Sequence, residues 1–153
     1  MVWKPRVTVA VVAERQGRFL MVEEHVHGQV CFNQPAGHLE DNESLVEAAI
    51  RECLEETAWH FRPTALVGIY RWRNAEKNDT YLRATFCGEC DAEDTRRELD
   101  ADIIAAHWLT HDDIRSRSEL LRSPLVLKSL DDYLDGQRYP LELLTDLPQG
   151  STG

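Results

Sequence analysis

The segment GHLEDNESLVEAAIRECLEETA, residues 37–58, decides how the rest of the chain is interpreted. Ser44 is followed three residues later by Glu47, and this pair is the signature of a capping box at a helix start. We expect a helix from about Ser44 to Thr57 or Ala58. This helix would carry three glutamates within the five positions 52–56. Close carboxylates repel one another and raise each other's pKa, so the arrangement needs a physical explanation.

The predicted helix has two distinct faces. At about 100° per residue, one arc collects the apolar stripe that we expect to pack on a sheet, namely Val46, Ile50, Cys53, Leu54 and Thr57. A second arc collects Glu52, Glu55 and Glu56, which are close neighbours on a helix surface. The commonest outcome for such charges is a solvated acidic face.

Two features favour a metal site over a solvated face. The acidic face has no interleaved lysine, and its only nearby base is Arg51. The helix also follows the loop QPAGHLE, in which Gly37 can bring a backbone carbonyl close to the carboxylates. Carboxylate and carbonyl oxygens are the ligands of hard divalent cations, so we predict a site for Mg²⁺ or Mn²⁺.

The same residues resemble the Nudix box, the motif of the Nudix hydrolase family. Its pattern is Gly, five residues, Glu, seven residues, Arg-Glu, an aliphatic residue, any residue, Glu-Glu, any residue, Gly and a hydrophobic residue. The matching positions here are Gly37, Glu43, Arg51, Glu52, Cys53, Glu55, Glu56, Ala58 and Trp59. The flanking segments FNQPAGHLE and GQRYPLE resemble the NudJ-type phosphatase subgroup of that family.

The resemblance implies metal-dependent hydrolysis of a phosphoanhydride bond, with roles carried over by position. The implied metal ligands are Gly37 through its carbonyl, Glu52, Glu55 and Glu56. Arg51 and Glu43 correspond to a structural ion pair that fixes the loop against the helix.

The general base varies within the family, and the resemblance leaves three candidate catalytic residues. Glu52 is the first choice for the base, and Asp102, six residues before Trp108, is the second. Glu55 completes the candidate set. The alternative for Asp102 is a solvated charge in the acidic loop ELDAD.

Two departures from the motif concern packing rather than charge. Cys53 replaces an aliphatic residue, and as a small hydrophobe it should pack acceptably. Ala58 stands where glycine is usual, at a position that ends the helix with a positive φ, which is unfavourable for alanine. We expect a local adjustment that leaves the metal site intact.

The segment YRWR, residues 70–73, is the candidate for substrate contacts. Tyr70 and Trp72 offer aromatic faces for a base, and Arg71 and Arg73 offer guanidinium groups for phosphate. The alternative is a strand with alternating core aromatics and surface arginines.

The NudJ-type resemblance implies nucleoside tri- and diphosphates as substrates, with a thiamine-precursor pyrophosphate as a further one, and release of inorganic phosphate. The alternative substrates are ADP-ribose or dinucleoside polyphosphates. Two other classes of function stay open, a non-catalytic Nudix domain that senses a nucleotide and an acidic protein-interaction module. The complete acidic core of the motif speaks against the first, and the lack of a long exposed apolar run speaks against the second.

The composition restricts partners and location. With 27 acidic and 17 basic residues, the formal net charge is -10, which disfavours nucleic acid and anionic membranes and requires a bridging cation for a polyanionic substrate. The longest apolar run, VTVAVVA, is too short for a membrane helix, and no signal peptide is evident. We expect a cytoplasmic protein that acts on a small-molecule nucleotide or other diphosphate, as a monomer or small homo-oligomer.

Hydrophobic periodicity predicts a mixed sheet with few helices. RVTVAVVAE and RFLMVEE read as a hairpin with Gly17 in the turn, followed by strands at VCFNQ, ALVGIYRWR, TYLRATFCGE and IIAAHWLT. The pair CGEC lies in one of these strands, which favours buried thiols over a zinc or redox site.

Two helices are predicted at the end of the chain, one at HDDIRSRSELL and one capped by Ser123, begun by Pro124 and stopped at Gly136. The order of elements favours the α/β class and, with the resemblance, a Nudix-type α/β/α sandwich with a mixed sheet. We expect a single domain over residues 1–148 and a disordered tail over residues 149–153.

Overall fold

A computed structural model of the chain describes residues 1–148, and it shows a mixed β-sheet between layers of helix. The predicted tail, residues 149–153, lies outside the described residues. The elements, in chain order, are β1 (Arg6–Arg15), β2 (Arg18–Val26), β3 (Gln29–Asn33), β4 (Ala36–His38), α1 (Leu45–Thr57), β5 (Trp59–Asn74), β6 (Asp79–Glu93), β7 (Ile103–Thr110), α2 (His111–Ser116) and α3 (Leu125–Leu134). Two short 3-10 helices, Ser118–Leu120 and Leu141–Leu143, follow α2 and α3.

The sheet is organised around β1. Strands follow the order β3-β2-β1-β6-β5, with β4 paired to β1 and β7 paired to β2. The β1–β6 pair is parallel and the others are antiparallel, so the sheet is mixed as predicted. The predicted β1–β2 hairpin is confirmed, and both turn residues, Gln16 and Gly17, have the positive φ that two-residue hairpins require.

Alternation along β1 divides the core between the two faces of the sheet. Val9 and Val11 belong to the cluster that contains α1, whereas Val12 belongs to the cluster that contains residues of α2 and α3. Side chains on a strand alternate between faces, so this division places helices on opposite sides of the sheet. The predicted α/β/α sandwich is confirmed.

Helix α1 begins and ends as the sequence predicts. The Ser44 side chain accepts from the Glu47 amide, and the Glu47 carboxylate accepts from the Ser44 amide, which completes the capping box. The helix runs from Leu45 to Thr57, and Ala58 follows it as the C-cap.

The buried face of α1 differs from the predicted apolar stripe. The buried residues are Ala48, Ala49, Glu52, Cys53, Glu56 and Thr57. Val46, Ile50 and Leu54 are only partly buried, so the buried arc lies roughly 90° from the predicted one. The two alanines let the helix backbone approach the sheet closely, and two glutamates point inward with them. The predicted apolar stripe therefore lies at the border of the helix face that packs on the sheet, not at its centre.

The predicted helix at HDDIRSRSELL is wrong in length. Helix α2 covers only His111–Ser116, and Arg117 (φ -103°, ψ 23°) separates it from the 3-10 turn. The Ser116 hydroxyl and the Arg117 guanidinium both donate to the Asp113 carbonyl. Side chains that compete for backbone carbonyls end helices, and serine does so readily.

Helix α3 begins one residue later than predicted, because Pro124 is its N-cap residue and Leu125 its first helical residue. The Ser123 hydroxyl still accepts from the Leu125 amide at this start, and Gly136 has a φ of 87° just after the helix ends. Cys87 and Cys90 are free, buried thiols on β6, as the strand interpretation predicts. No helix within residues 1–148 is both long and apolar enough to cross a membrane.

Ala58 adopts the left-handed conformation expected of the glycine that it replaces. Its φ is 65° and its ψ is 11°, and its amide donates to the Leu54 carbonyl at 2.9 Å. A residue with a Cβ is disfavoured in this region by about 1–2 kcal/mol. The closing turn of α1 therefore stores strain two residues beyond Glu56, the last glutamate of the motif.

We predict that Ala58→Gly raises the free energy of unfolding by about 0.5–1 kcal/mol, because relief of the left-handed strain exceeds the added entropy of the unfolded chain. Ala48→Gly, in the buried interior of the same helix, is the matched control and should lower stability by about 1 kcal/mol or more. Denaturant unfolding of both variants measures this. Equal destabilisation by the two substitutions would contradict the strain at Ala58.

Candidate active site

Three carboxylates converge outside the N-terminal end of β7. Glu52 and Glu55 project from α1, and Asp100 projects from the segment before β7. Each offers a carboxylate oxygen, and these oxygens all lie within 4.8 Å of one another. The Asp100 amide donates to the Glu55 carbonyl at 3.0 Å, which fixes the loop to the helix. We call Glu52, Glu55 and Asp100 the carboxylate cluster.

Glu56 lies deeper than the carboxylate cluster. Its residue is 8% exposed, and its Oε1 accepts a hydrogen bond from the Ala36 amide at 2.8 Å. Burial, reinforced by the negative charges of Glu52 and Glu24, raises the pKa of Glu56 to about 9, although the amide hydrogen bond opposes this. Ionised Glu56 therefore needs a positive charge close by.

Arg51 connects the loop before α1 to the helix itself. Its guanidinium bonds both carboxylate oxygens of Glu43, at 2.9 and 2.7 Å, and donates to the His38 carbonyl at 3.0 Å. It also donates to Glu52 at 2.8 Å and to Glu55 at 3.2 Å. The long Arg51 side chain therefore reaches the loop before α1 and two of the carboxylates at the same time.

These contacts shift the pKa values of the residues around Arg51. The Arg51 hydrogen bonds hold the pKa of Glu43 below its usual range. The pKa of Arg51 is raised, mainly by its bond to Glu43. Burial raises the pKa of Glu52, and the contact with Arg51 only partly offsets this. Arg51 thus stabilises the ionised form of Glu43 fully and that of Glu52 incompletely.

Gly37 lies directly against Glu52. A Cβ atom built on Gly37 would come within 2.2 Å of the Glu52 carboxylate, far closer than atoms can approach. Glycine is therefore required for the observed position of Glu52, because any larger residue would displace this carboxylate. Gly37 is in β4 and pairs with Val9 of β1, so the contact joins the sheet to the helix.

The residues present fit a hard divalent cation. All ligand atoms that the carboxylate cluster offers are oxygens. Gly37 has no side chain, so it leaves room for the Glu52 carboxylate beside it. Burial raises the pKa values of Glu52 and Glu56. A bound cation would stabilise their ionised carboxylates, which the single guanidinium of Arg51 does not do fully.

A cavity of about 410 Å³ adjoins these groups, a size typical of small-molecule sites. Glu52 and Glu56 form part of its wall, and Arg83 and Arg122 line it as well. Its aromatic wall includes Trp72, which stacks on Tyr81 with ring centroids 5.6 Å apart and planes at 25°.

The structure brings one of the four predicted substrate residues to this cavity. Trp72 lines it, whereas the Tyr70 hydroxyl donates to Asp132 of α3 at 2.7 Å and ties the strand to that helix. Arg71 and Arg73 are exposed and do not line the cavity. Strand alternation explains this result, since residues 71 and 73 share one face and residues 70 and 72 share the other.

The segment ELDAD supplies an acidic residue to the site, but at a different position from the one predicted. Among the described residues, the close carboxylate group contains Asp100 and not Asp102. The Asp102 residue is exposed, and its carbonyl accepts from the His25 amide at 2.9 Å. The sequence offered two aspartates in this loop, and only the backbone path before β7 decides which of them reaches α1.

Three further residues that line the cavity were not predicted from the sequence. Tyr81 and Arg83 lie two positions apart on β6 and line the cavity. Their spacing of two residues indicates that both side chains lie on one face of the strand. The parallel pairing of β6 with β1, which brings that face to the cavity, could not be predicted from the sequence. Arg122 reaches the cavity from the segment before α3 and pairs with Glu24 at 2.6 Å.

Known proteins resemble this chain over most of its length. The family model of the NUDIX domain matches residues 3–128. The phosphatase NudJ of Escherichia coli strain K12 is 43% identical over 144 residues, which cover 94% of this chain and 93% of that protein. A NUDIX hydrolase from Nitrosomonas europaea superposes with a TM-score of 0.92 at 46% identity, over 94% of this chain and 98% of its own.

The chain belongs to the NUDIX domain family and is a Nudix hydrolase, an enzyme that hydrolyses phosphoanhydride bonds. The resemblance carried by residues 37–59 is therefore confirmed. The fold is shared more widely, since a UDP-X diphosphatase superposes with a TM-score of 0.72 at 16% identity, over 92% of this chain and 68% of its own.

We predict a measurable coupling between Arg51 and Glu43. Their side chains are 20% and 12% exposed, so a double-mutant cycle with Arg51→Met and Glu43→Gln should give a coupling energy of about 1–3 kcal/mol. Because the pKa of Glu43 is lowered in the folded state, the coupling is present at neutral pH and is lost as the pH falls through that lowered value.

The control cycle uses Arg115 and Asp112, an ion pair on α2 whose side chains are 67% and 86% exposed. Its coupling should stay below about 0.5 kcal/mol. Denaturant unfolding of both sets of variants at pH 7 measures the two energies. Additive losses at Arg51 and Glu43 would show that this pair does not hold the loop.

Proposed function

We propose that this protein is a Mg²⁺- or Mn²⁺-dependent hydrolase that cleaves nucleoside tri- and diphosphates and releases inorganic phosphate. One observation carries the proposal: Glu52 belongs both to the carboxylate cluster and to the wall of the cavity. The carboxylates that could bind a cation are therefore adjacent to the cavity that could bind a nucleotide, and Glu52 is part of both.

The charge distribution supports a phosphorylated substrate. A chain with a formal charge of -10 repels a polyanion, yet two arginines, Arg83 and Arg122, line this cavity together with its acidic residues. When bound, a divalent cation neutralises phosphate oxygens and lowers the pKa of a water molecule. The acidic and basic walls can thus hold the same anion, the first through a cation and the second directly.

We assign the roles of the acidic residues by position. Glu52, Glu55 and Glu56, together with the Gly37 carbonyl, are the proposed metal ligands, and Asp100 joins them because its carboxylate lies in the cluster. Glu52 is the proposed general base, since it alone belongs to both the cluster and the cavity wall. Asp100 takes the place that the sequence interpretation gave to Asp102.

Two further observations support nucleotides and phosphate release. The stacked pair Trp72–Tyr81 offers an aromatic surface for a base at the same cavity. The similarity to phosphatase NudJ extends over 94% of this chain, which favours inorganic phosphate as a product. ADP-ribose and dinucleoside polyphosphates remain the alternative substrates. We further propose that the protein acts in the cytoplasm on small molecules.

A substrate screen with added Mg²⁺ tests this proposal. Nucleoside triphosphates, nucleoside diphosphates, a thiamine-precursor pyrophosphate, ADP-ribose and a dinucleoside polyphosphate are compared, and phosphate and pyrophosphate are measured separately. We expect phosphate release from nucleoside tri- and diphosphates and none in excess EDTA. Turnover of ADP-ribose alone would replace the proposed substrate, and no turnover of any compound would favour the nucleotide-sensing alternative.

We predict that Glu52→Gln folds normally and lowers kcat by at least about 100-fold, the low end of what positioned proton transfer contributes. Glu47→Gln is the matched control, because Glu47 lies on the same helix but only completes the capping box, which glutamine can also do. Its kcat should stay within about twofold of the wild type. Near-normal turnover by Glu52→Gln would remove Glu52 from the catalytic residues.

A further inference from the structure

Arg83 is a buried cation that has no ion-pair partner within residues 1–148. It lies on β6, opposite Thr8 of β1, and its residue is only 7% exposed. Its Nε donates to the Thr8 hydroxyl at 3.4 Å, a long hydrogen bond. Its Nη1 is shielded from solvent and has no hydrogen-bond partner among the described residues. Buried polar groups in folded proteins are rarely left in this condition.

The contrast with the other buried and half-buried arginines is clear. Arg51 is surrounded by carboxylates, and Arg122 pairs with Glu24 at 2.6 Å. Within residues 1–148, Arg83 makes no ion pair at all. Burial and the charge of Arg122 lower the pKa of Arg83 to about 10, which still leaves its guanidinium protonated at neutral pH.

The surroundings of the Arg83 guanidinium place it at the cavity. The ionisable groups that act on it are Arg122, Glu56, Tyr81 and Glu24, and all four line the cavity, as Arg83 itself does. An unpaired cation is unfavourable in such a site, and an anion that enters the cavity removes the penalty. The planar guanidinium fork matches phosphate oxygens well.

We propose that Arg83 binds substrate phosphate: its buried guanidinium donates to phosphate oxygens of the diphosphate or triphosphate chain in this cavity. The inference rests on the proposed function for the identity of the substrate. It adds a residue outside the Nudix box and explains why the cavity keeps a buried charge without a protein partner. Arg83 thereby makes the cavity selective for phosphate groups over neutral ligands of similar size.

The test compares Arg83→Met and Arg83→Lys with the wild type in equilibrium binding at saturating Mg²⁺. The probes are α,β-methylene-ADP and methylenediphosphonate, neither of which can be hydrolysed at the bridge. We expect Arg83→Met to weaken both probes by about 10- to 100-fold, the range for loss of a hydrogen bond between charged groups. Arg83→Lys keeps the charge without the fork, so its loss should be smaller. Arg62→Met, at an exposed arginine on β5, is the control and should bind like the wild type.

Melting temperatures separate binding from structure. Because the free protein carries the penalty of an unpaired cation, Arg83→Met should melt at or above the wild-type temperature without ligand. If Arg83→Lys melts below the wild-type temperature but binds both probes as tightly as the wild type, Arg83 is structural and the proposal is overturned. Loss confined to the nucleotide probe, unchanged binding by Arg83→Met, or no binding of either probe by the wild type would overturn it too.

The same binding data keep this proposal distinct from the proposed function. If the wild type binds both probes through Arg83 but hydrolyses no nucleotide, the phosphate contact stands and the proposed hydrolysis fails. If the wild type releases phosphate from nucleotides while Arg83→Met binds the probes normally, hydrolysis stands and the role of Arg83 is wrong.

Discussion

Repulsion among four close carboxylates is the constraint on which the rest of this structure depends. Glu52, Glu55 and Asp100 bring oxygens within 4.8 Å of one another, and the buried Glu56 lies beside them. Like charges repel more strongly in a low dielectric, so the fold has to provide compensation. A guanidinium from Arg51 provides it at the outer side, and a single backbone amide provides it at the inner side. Burial, with a smaller contribution from the neighbouring carboxylates, raises the pKa values of Glu52 and Glu56, and the contacts with Arg51 and the amide offset this only in part.

The architecture around the helix serves to hold those charges in place. Alanines on the buried face let α1 approach the sheet, and Gly37 leaves room for the Glu52 carboxylate. Ala58 ends the helix in a strained conformation immediately after the last two glutamates and Thr57. Natural proteins accept such local losses of stability at functional sites. Arg83, a buried cation of the same cavity whose Nη1 has no hydrogen-bond partner among the described residues, is another such local loss of stability.

Most of helix α1 and the grouping of its glutamates were predictable because they are local in sequence. The capping box, the end of α1 near Ala58 and the grouping of the glutamates depend on spacing within 22 residues, 37–58. The burial of Glu52 and Glu56 was not predictable, because hydrophobic periodicity assigns glutamate to the exposed face and cannot reveal a polar cavity. The choice of Asp100, and the arrival of Arg83 and Arg122, depend on strand pairing and loop paths between distant segments.

Acidic residues arranged for a divalent cation should make the folded state more stable when that cation is present, and the free energy of unfolding with and without Mg²⁺ measures this. The wild type should gain about 2.7 kcal/mol at 100 times the dissociation constant. Glu56→Gln keeps an oxygen that can accept from the Ala36 amide but cannot ionise to bind a cation, so its gain at the same Mg²⁺ concentration should be much smaller. Equal gains in the two proteins, or no gain in the wild type, would show that these residues do not form a cation site.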